Sequence, residues 1–181
     1  MKSLSNLSHF AIFDLTKIGA AYQVINSFVD DETILAFEIC PLGSQAVLML
    51  SSKDLIALQF VYNQCLTLHK SDILNSICIE NLAPGILDAY LSQNKPQVAG
   101  SILIAESESF ATAFGFAHKL AAQQVSLLDF RVVRTSPPNL IITATGSTVV
   151  LKEFVTSDSV IRTTLIDQVQ KPLQAYFEIL N

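Results

Sequence analysis

From His9 onward the chain alternates between two kinds of apolar pattern. "HFAIFDLT" is an apolar run that ends at a polar turn and predicts a strand; "KIGAAYQVINSFVDD" carries apolar residues at helical spacing and predicts a helix. "TILAFEIC" and "SQAVLMLS" read as two further strands around a turn at Pro41–Gly43, and "KDLIALQFVYNQCLTL" as a long helix. "ILNSICIENL" then reads as a strand. "APGILDAYLSQN" closes the unit as a helix, with Pro84 near its start.

The same order returns in the second half. "GSILIAESE" reads as a strand, "SFATAFGFAHKLAAQQ" as a helix, and "VSLLDFRVVR" and "NLIITATG" as paired strands around "TSPP". A shorter helical stretch "TVVLKEFVTSD", a strand "VIRTTLIDQV" and a last helix "QKPLQAYFEILN" complete it. Three pairs carry the alignment: Asp14 with Glu106, Phe37 with Phe130, and Ala89-Tyr90 with Ala175-Tyr176. The chain is read as an internal duplication, with a first domain over 1–93, a second over 97–181 and a linker near "SQNKPQVAG".

Each half is thus strand-helix-strand-strand-helix-strand plus a terminal helix. That order predicts an α+β fold of two tandem ferredoxin-like (split βαβ) units, helices on one face of a mostly antiparallel sheet. Two such units in one chain form a pseudo-dimer, and symmetric assembly is the expected next step.

Composition changes the picture in one direction. Of 181 residues, 50% are hydrophobic and only 15% charged, with mean hydropathy +0.44, a poor supply of polar surface that predicts burial between subunits. No apolar run reaches the roughly 18 residues of a membrane span. The segment "MKSLSNLSHF" lacks the apolar core of a signal peptide, so a cytoplasmic location is expected. A net charge of −5, with 11 basic residues and none clustered, argues against nucleic acid.

Candidate chemistry is sparse. Cys40, Cys65 and Cys78 are too few and too unevenly spaced for a disulfide framework or a zinc knuckle. Cys65 and Cys78 read as core residues, and His9, His69 and His118 as surface or packing residues. Asp14 and Glu106 read as strand-end carboxylates that cap the helix after them. "SSKD" and "TGST" are not phosphate loops, for no glycine-rich run carries a lysine in place. No enzyme is expected.

Cys40 is different because of where it falls. In "FEICPLGSQAVLML" it stands at the lip of a turn between two strands, followed by Pro41, Leu42, Gly43 and Ser44. It is read either as a small hydrophobe at a strand end or as a ligand.

The duplicated order, with "FAIFDLTKIGAAYQV", "EICP" then "LML", "ILNSICIENLAPGIL" and "QVAGSILIAESES", resembles the tandem-domain shell proteins of bacterial microcompartments. The likeness is greatest to the trimeric type of propanediol-utilisation compartments. It implies a homotrimer of two-domain chains, a pseudohexamer that sits with other shell proteins in a microcompartment shell. It also implies that Cys40 lies at a central pore whose lip is Pro41, Leu42, Gly43 and Ser44, and that three copies share a 4Fe-4S cluster for electron transfer across the shell. Three thiolates would then come from symmetry, and the last iron would take a non-cysteine ligand or water. The second unit offers Val133 opposite Cys40, and its lip is "RTSPPN". Where such tiles carry an edge lysine, this chain has residues near Ser27 and Ala121. Two other readings stand beside this one: a shell or pore trimer without a cluster, and a cytosolic ferredoxin-like regulatory protein that binds a small ligand.

Overall fold

A computed structural model describes residues 8–29, 33–83, 85–93, 97–133, 139–155 and 160–179. The contacts divide the chain between Leu82 and Ala83 into two compact units. The first contains β1 (His9–Leu15), α1 (Ile18–Phe28), β2 (Leu35–Leu42), β3 (Gln45–Ser52), α2 (Leu55–Leu68) and β4 (Ile73–Ile79). Its sheet has the order β2-β3-β1-β4, and all three ladders are antiparallel.

The second unit begins with α3 (Ile86–Tyr90). It continues through β5 (Ser101–Ser107), α4 (Phe110–Ala122), β6 (Ser126–Val133), β7 (Asn139–Gly146), α5 (Thr148–Lys152), β8 (Ile161–Ile166) and α6 (Lys171–Ile179). Its sheet, β6-β7-β5-β8, repeats the first position for position and is also antiparallel throughout. The tandem ferredoxin-like α+β order legible in the chain is the order found. α3 ends the first repeat in sequence, yet it packs in the second unit.

Alternation along β1 explains how each sheet is covered. Ala11, Phe13 and Leu15 share a face with Leu48 and Leu50 of β3, and this face meets Ala20, Ala21 and Val24 of α1 and Leu58, Val61 and Cys65 of α2. Full burial of side chains such as Phe13 and Leu58 stabilises by roughly 1.5–3 kcal/mol each. Phe10 and Ile12 point to the opposite face and are also fully buried.

In the second unit α4 covers the helix face, with Phe114 at 4.7 Å (ring centroids) from Phe130 of β6. α6 covers the opposite face, setting Leu173 and Phe177 against Ile102, Ile104 and Ile166. The expectation of helices on one face therefore holds for α1, α2 and α4 but not for α6. That helix is amphipathic and takes the second apolar surface that β5 offers through Ile102 and Ile104.

The expected helix caps are corrected. Asp14 and Glu106 lie inside β1 and β5, not at a helix N-terminus. Ser109 caps α4 by accepting from the Thr112 N–H at 3.1 Å, and Asp54 caps α2 by accepting from the Ala57 N–H at 3.0 Å. Lys17 precedes α1 and makes no side-chain cap.

Candidate functional site

The lip is tighter than its sequence suggests. β2 runs on through Pro41 to Leu42, Leu42 pairs with Gln45, and only Gly43 and Ser44 turn the chain. Gly43 has φ 63° and is the one residue of the two with positive φ, the pattern of a type II′ hairpin turn. Pro41 is tolerated inside β2 because β2 is an edge strand, where a missing N–H can face away from the ladder. Pro41, Gly43 and Ser44 are exposed, whereas Leu42 is 3% exposed and Cys40 only 2%.

Register shows where the thiol lies. Cys40 pairs with Val47, and Val47 with Asp14, so the three form a row on the face turned away from α1 and α2. The Cys40 Sγ lies 3.9 Å from the carbonyl oxygen of Pro41, within reach of a weak S–H donor. The other thiols sit elsewhere. Cys65 is fully buried in the helix-face core, and burial pushes its pKa up to about 12. Cys78 of β4 is half-buried, and burial, followed by the charge of Glu80, pushes it up as well.

An iron–sulfur cluster on a symmetry axis takes a thiolate from each copy, so each copy must present that thiolate at its own surface. Cys40 is withdrawn from the surface of the single chain. A thiol 2% exposed in the single chain would have to turn outward for the lip to hold such a cluster.

The second lip is reached by the same counting. Ala11 and Leu103 are equivalent, Leu50 and Ala144 pair with them, and Ala36 and Leu127 pair with those in turn. Both edge strands then bulge, at Phe37 and at Leu128, which makes Ile39 equivalent to Phe130 and Cys40 equivalent to Arg131. The expected matches of Phe37 with Phe130 and Cys40 with Val133 are corrected by this register; Val133 answers to Leu42. The alignment slipped because the two hairpin connections differ in length, so counting from the loops displaces the strand. Arg131 is exposed and forms an ion pair with Asp129. Burial nonetheless raises the Asp129 pKa, and Arg131 only partly offsets it. Residues 134–138, which carry most of the expected "RTSPPN" lip, lie outside the described residues, as does Pro84.

Two of the three histidines accept hydrogen bonds from the backbone. His9 Nδ1 accepts from the Asn81 N–H at 3.2 Å, and His118 Nδ1 from the Ala83 N–H at 3.2 Å. An open cavity of about 360 Å³ lies between the end of α1 and the start of α2, lined by Phe28, Ile34, Phe60 and Val61 among others. Its carboxylate, Asp54, already serves as the cap of α2.

What the pattern of the sequence did not locate is the exposed apolar surface. Tyr22 of α1 is 59% exposed, Ile56 and Phe60 of α2 are 81% and 61%, and Tyr176 of α6 is 52%. Only the packing of the neighbouring elements shows that they stand uncovered by the described residues.

No family model matches the chain, and no curated protein does. Among solved structures, a microcompartments protein from Desulfitobacterium hafniense DCB has TM-score 0.73 at 15% sequence identity, covering 93% of this chain and 99% of that one. A protein assigned as a glycine cleavage system transcriptional repressor has TM-score 0.31 at 15% identity, covering 92% of this chain and 100% of its own. An unknown protein from Galdieria sulphuraria has TM-score 0.29 at 11% identity, covering 91% and 99%. The first shares the fold across nearly the whole of both chains; the other two do not share enough to argue from.

Proposed function

We propose that this chain is a structural shell protein of a bacterial microcompartment, a building block that works by assembly and not by catalysis. The observation that carries the proposal is the TM-score of 0.73 to a microcompartments protein over 93% of this chain. Exposed Tyr22, Ile56, Phe60 and Tyr176 support it, because a chain of low charge that leaves such side chains uncovered has a surface suited to partners.

In this reading three copies, each with two ferredoxin-like units, close into a pseudohexamer. The exposed tip of the β2–β3 hairpin, at Pro41, Gly43 and Ser44, lines a central opening. Leu42 and Cys40 pack behind that tip, and their burial argues against iron at the opening. The pore therefore passes or excludes small molecules by shape and by the backbone of its tip. Light scattering of the purified chain tests the assembly: three times the 19.8 kDa of one copy is expected, and a monomer at all concentrations overturns the reading. An absorbance spectrum of protein purified without oxygen tests the pore. A colourless solution is expected, and a brown one that Cys40→Ser bleaches would restore the cluster.

A further inference from the structure

The duplication makes one packing site visible twice, once filled and once open. In the second unit Tyr90 of α3 lies among three aromatic rings: Phe110 at 6.4 Å, Phe114 at 5.2 Å and Phe130 at 5.5 Å, each edge-on. Such edge-to-face contacts are each favourable beyond the area they bury. Phe110, Ala111, Phe114 and Gly115 of α4 are all buried.

The register places Ile18, Tyr22 and Ile39 of the first unit at the positions of Phe110, Phe114 and Phe130. There the helix face is open. Gly19 and Gln23 are exposed where Ala111 and Gly115 are buried, and Tyr22 is 59% exposed where Phe114 is fully covered. A side chain added at Gly19 would meet nothing within 4 Å. The first unit thus keeps the acceptor face, and no helix among its described residues fills it.

The chain also carries the spare helix. α6 ends the second repeat as α3 ends the first, and Ala175-Tyr176 answers to Ala89-Tyr90. α6 is anchored to its own unit through Leu173 and Phe177, which leaves Tyr176 52% exposed beside Phe177. We propose that α6 of one copy docks through Tyr176 on the Ile18–Tyr22–Ile39 face of a second copy, repeating between chains the packing that Tyr90 makes on Phe110, Phe114 and Phe130. The contact joins two different surfaces and is therefore head-to-tail, the type that closes into a ring when the rotation permits. It rests on the reading of the chain as an assembling shell protein and names the surfaces that join the copies.

Tyr22→Asp and Tyr176→Asp test it, each on the full chain, with Tyr22→Ser and Tyr176→Ser as milder partners. Circular dichroism and the melting temperature report whether each variant folds. Either Asp variant alone is expected to have the molar mass of one copy by light scattering. A 1:1 mixture of the two is expected to give dimers and nothing larger, because one intact donor then meets one intact acceptor. An assembled wild type whose mass survives Tyr176→Asp or Tyr22→Asp overturns the proposal but leaves the shell reading standing. A wild type that is monomeric at every concentration overturns both. A mixture that stays monomeric, or in which one variant self-assembles alone, shows an interface of another kind and also overturns the proposal.

Discussion

Arg131 holds in the second sheet the position that Cys40 holds in the first. Each pairs with β7 or β3 directly opposite the residue that faces the β1 or β5 carboxylate: Cys40 across from Val47 and Asp14, Arg131 across from Ile141 and Glu106. One lip therefore hides a thiol of low polarity, and the other sets out a guanidinium paired with Asp129. The two repeats share a backbone and differ in what they present at its edge.

A thiol at 2% exposure reacts slowly. With a water-soluble disulfide reagent under native conditions, Cys40 and Cys65 are expected to label far more slowly than Cys78, because only Cys78 is partly open. Cys65 is slower still in principle, for its pKa of about 12 leaves almost no thiolate at neutral pH. Mass spectrometry of labelled peptides over time measures the order. Rapid labelling of Cys40 in the folded chain would show that the lip opens and that its thiol is available after all.

The hairpin turn depends on one residue. Gly43 at φ 63° occupies backbone space where a Cβ is strained, so Gly43→Ala is expected to destabilise the first unit by about 1–2 kcal/mol. The loss appears as faster hydrogen exchange along β2 and β3, with β6 and β7 unchanged. Equal loss in both sheets would contradict the division of the chain into two units.

Element order was legible because the segments differ in pattern: short apolar runs that end at polar turns in β1 and β5, helical spacing in α1 and α4. Edges were less legible. Pro41 suggested a turn, and its place inside β2 depends on β2 being an edge strand, which only the sheet order reveals. Asp14 and Glu106 looked like caps because they precede helices in sequence, whereas the cap role falls to Ser109, one residue before α4 begins. The Cys40–Arg131 equivalence was hidden by unequal hairpins. The open face around Tyr22 was hidden for a different reason, since exposure depends on which neighbouring element is present and not on the residue itself.

The aromatic nest of the second unit carries much of its packing. Phe114 is fully buried and touches Tyr90, Phe110 and Phe130. Phe114→Ala is expected to cost about 3–5 kcal/mol in the second unit, by the transfer and cavity terms of a large-to-small core change. Tyr22→Ala at the equivalent place in the first unit is expected to cost a single, unassembled copy less than about 0.5 kcal/mol, as exposed substitutions do. Chemical denaturation of the two variants, measured at a concentration where the chain is monomeric, gives the comparison. Similar losses would mean that Tyr22 is packed within its own chain.

Acid should act on the two units through different carboxyls. In the first, Asp72 takes a hydrogen bond from Lys17, Nζ to Oδ1 at 2.9 Å, and another from Thr16 at 3.1 Å; the Lys17 bond is the main reason its carboxyl is held below the usual value. In the second, Asp167 is lowered chiefly by the Thr148 hydroxyl and then by that of Ser101, both at 2.8 Å. A carboxyl whose folded pKa lies below its unfolded one contributes stability that is present above the unfolded value, near pH 4, and is lost as pH falls through the folded value. Asp129 has the opposite sign. Burial raises it, so ionising it penalises the fold as pH climbs from the unfolded value through the folded one, and acid relieves that penalty. The second unit therefore has a partial offset at Asp129 to the loss at Asp167. Hydrogen exchange as the pH falls below 4 is expected to show protection lost beside Asp72 in the first unit and beside Asp167 in the second. Asp72→Asn should flatten the acid response of the first unit alone, and a response in that unit unchanged by the substitution would remove Asp72 as its cause.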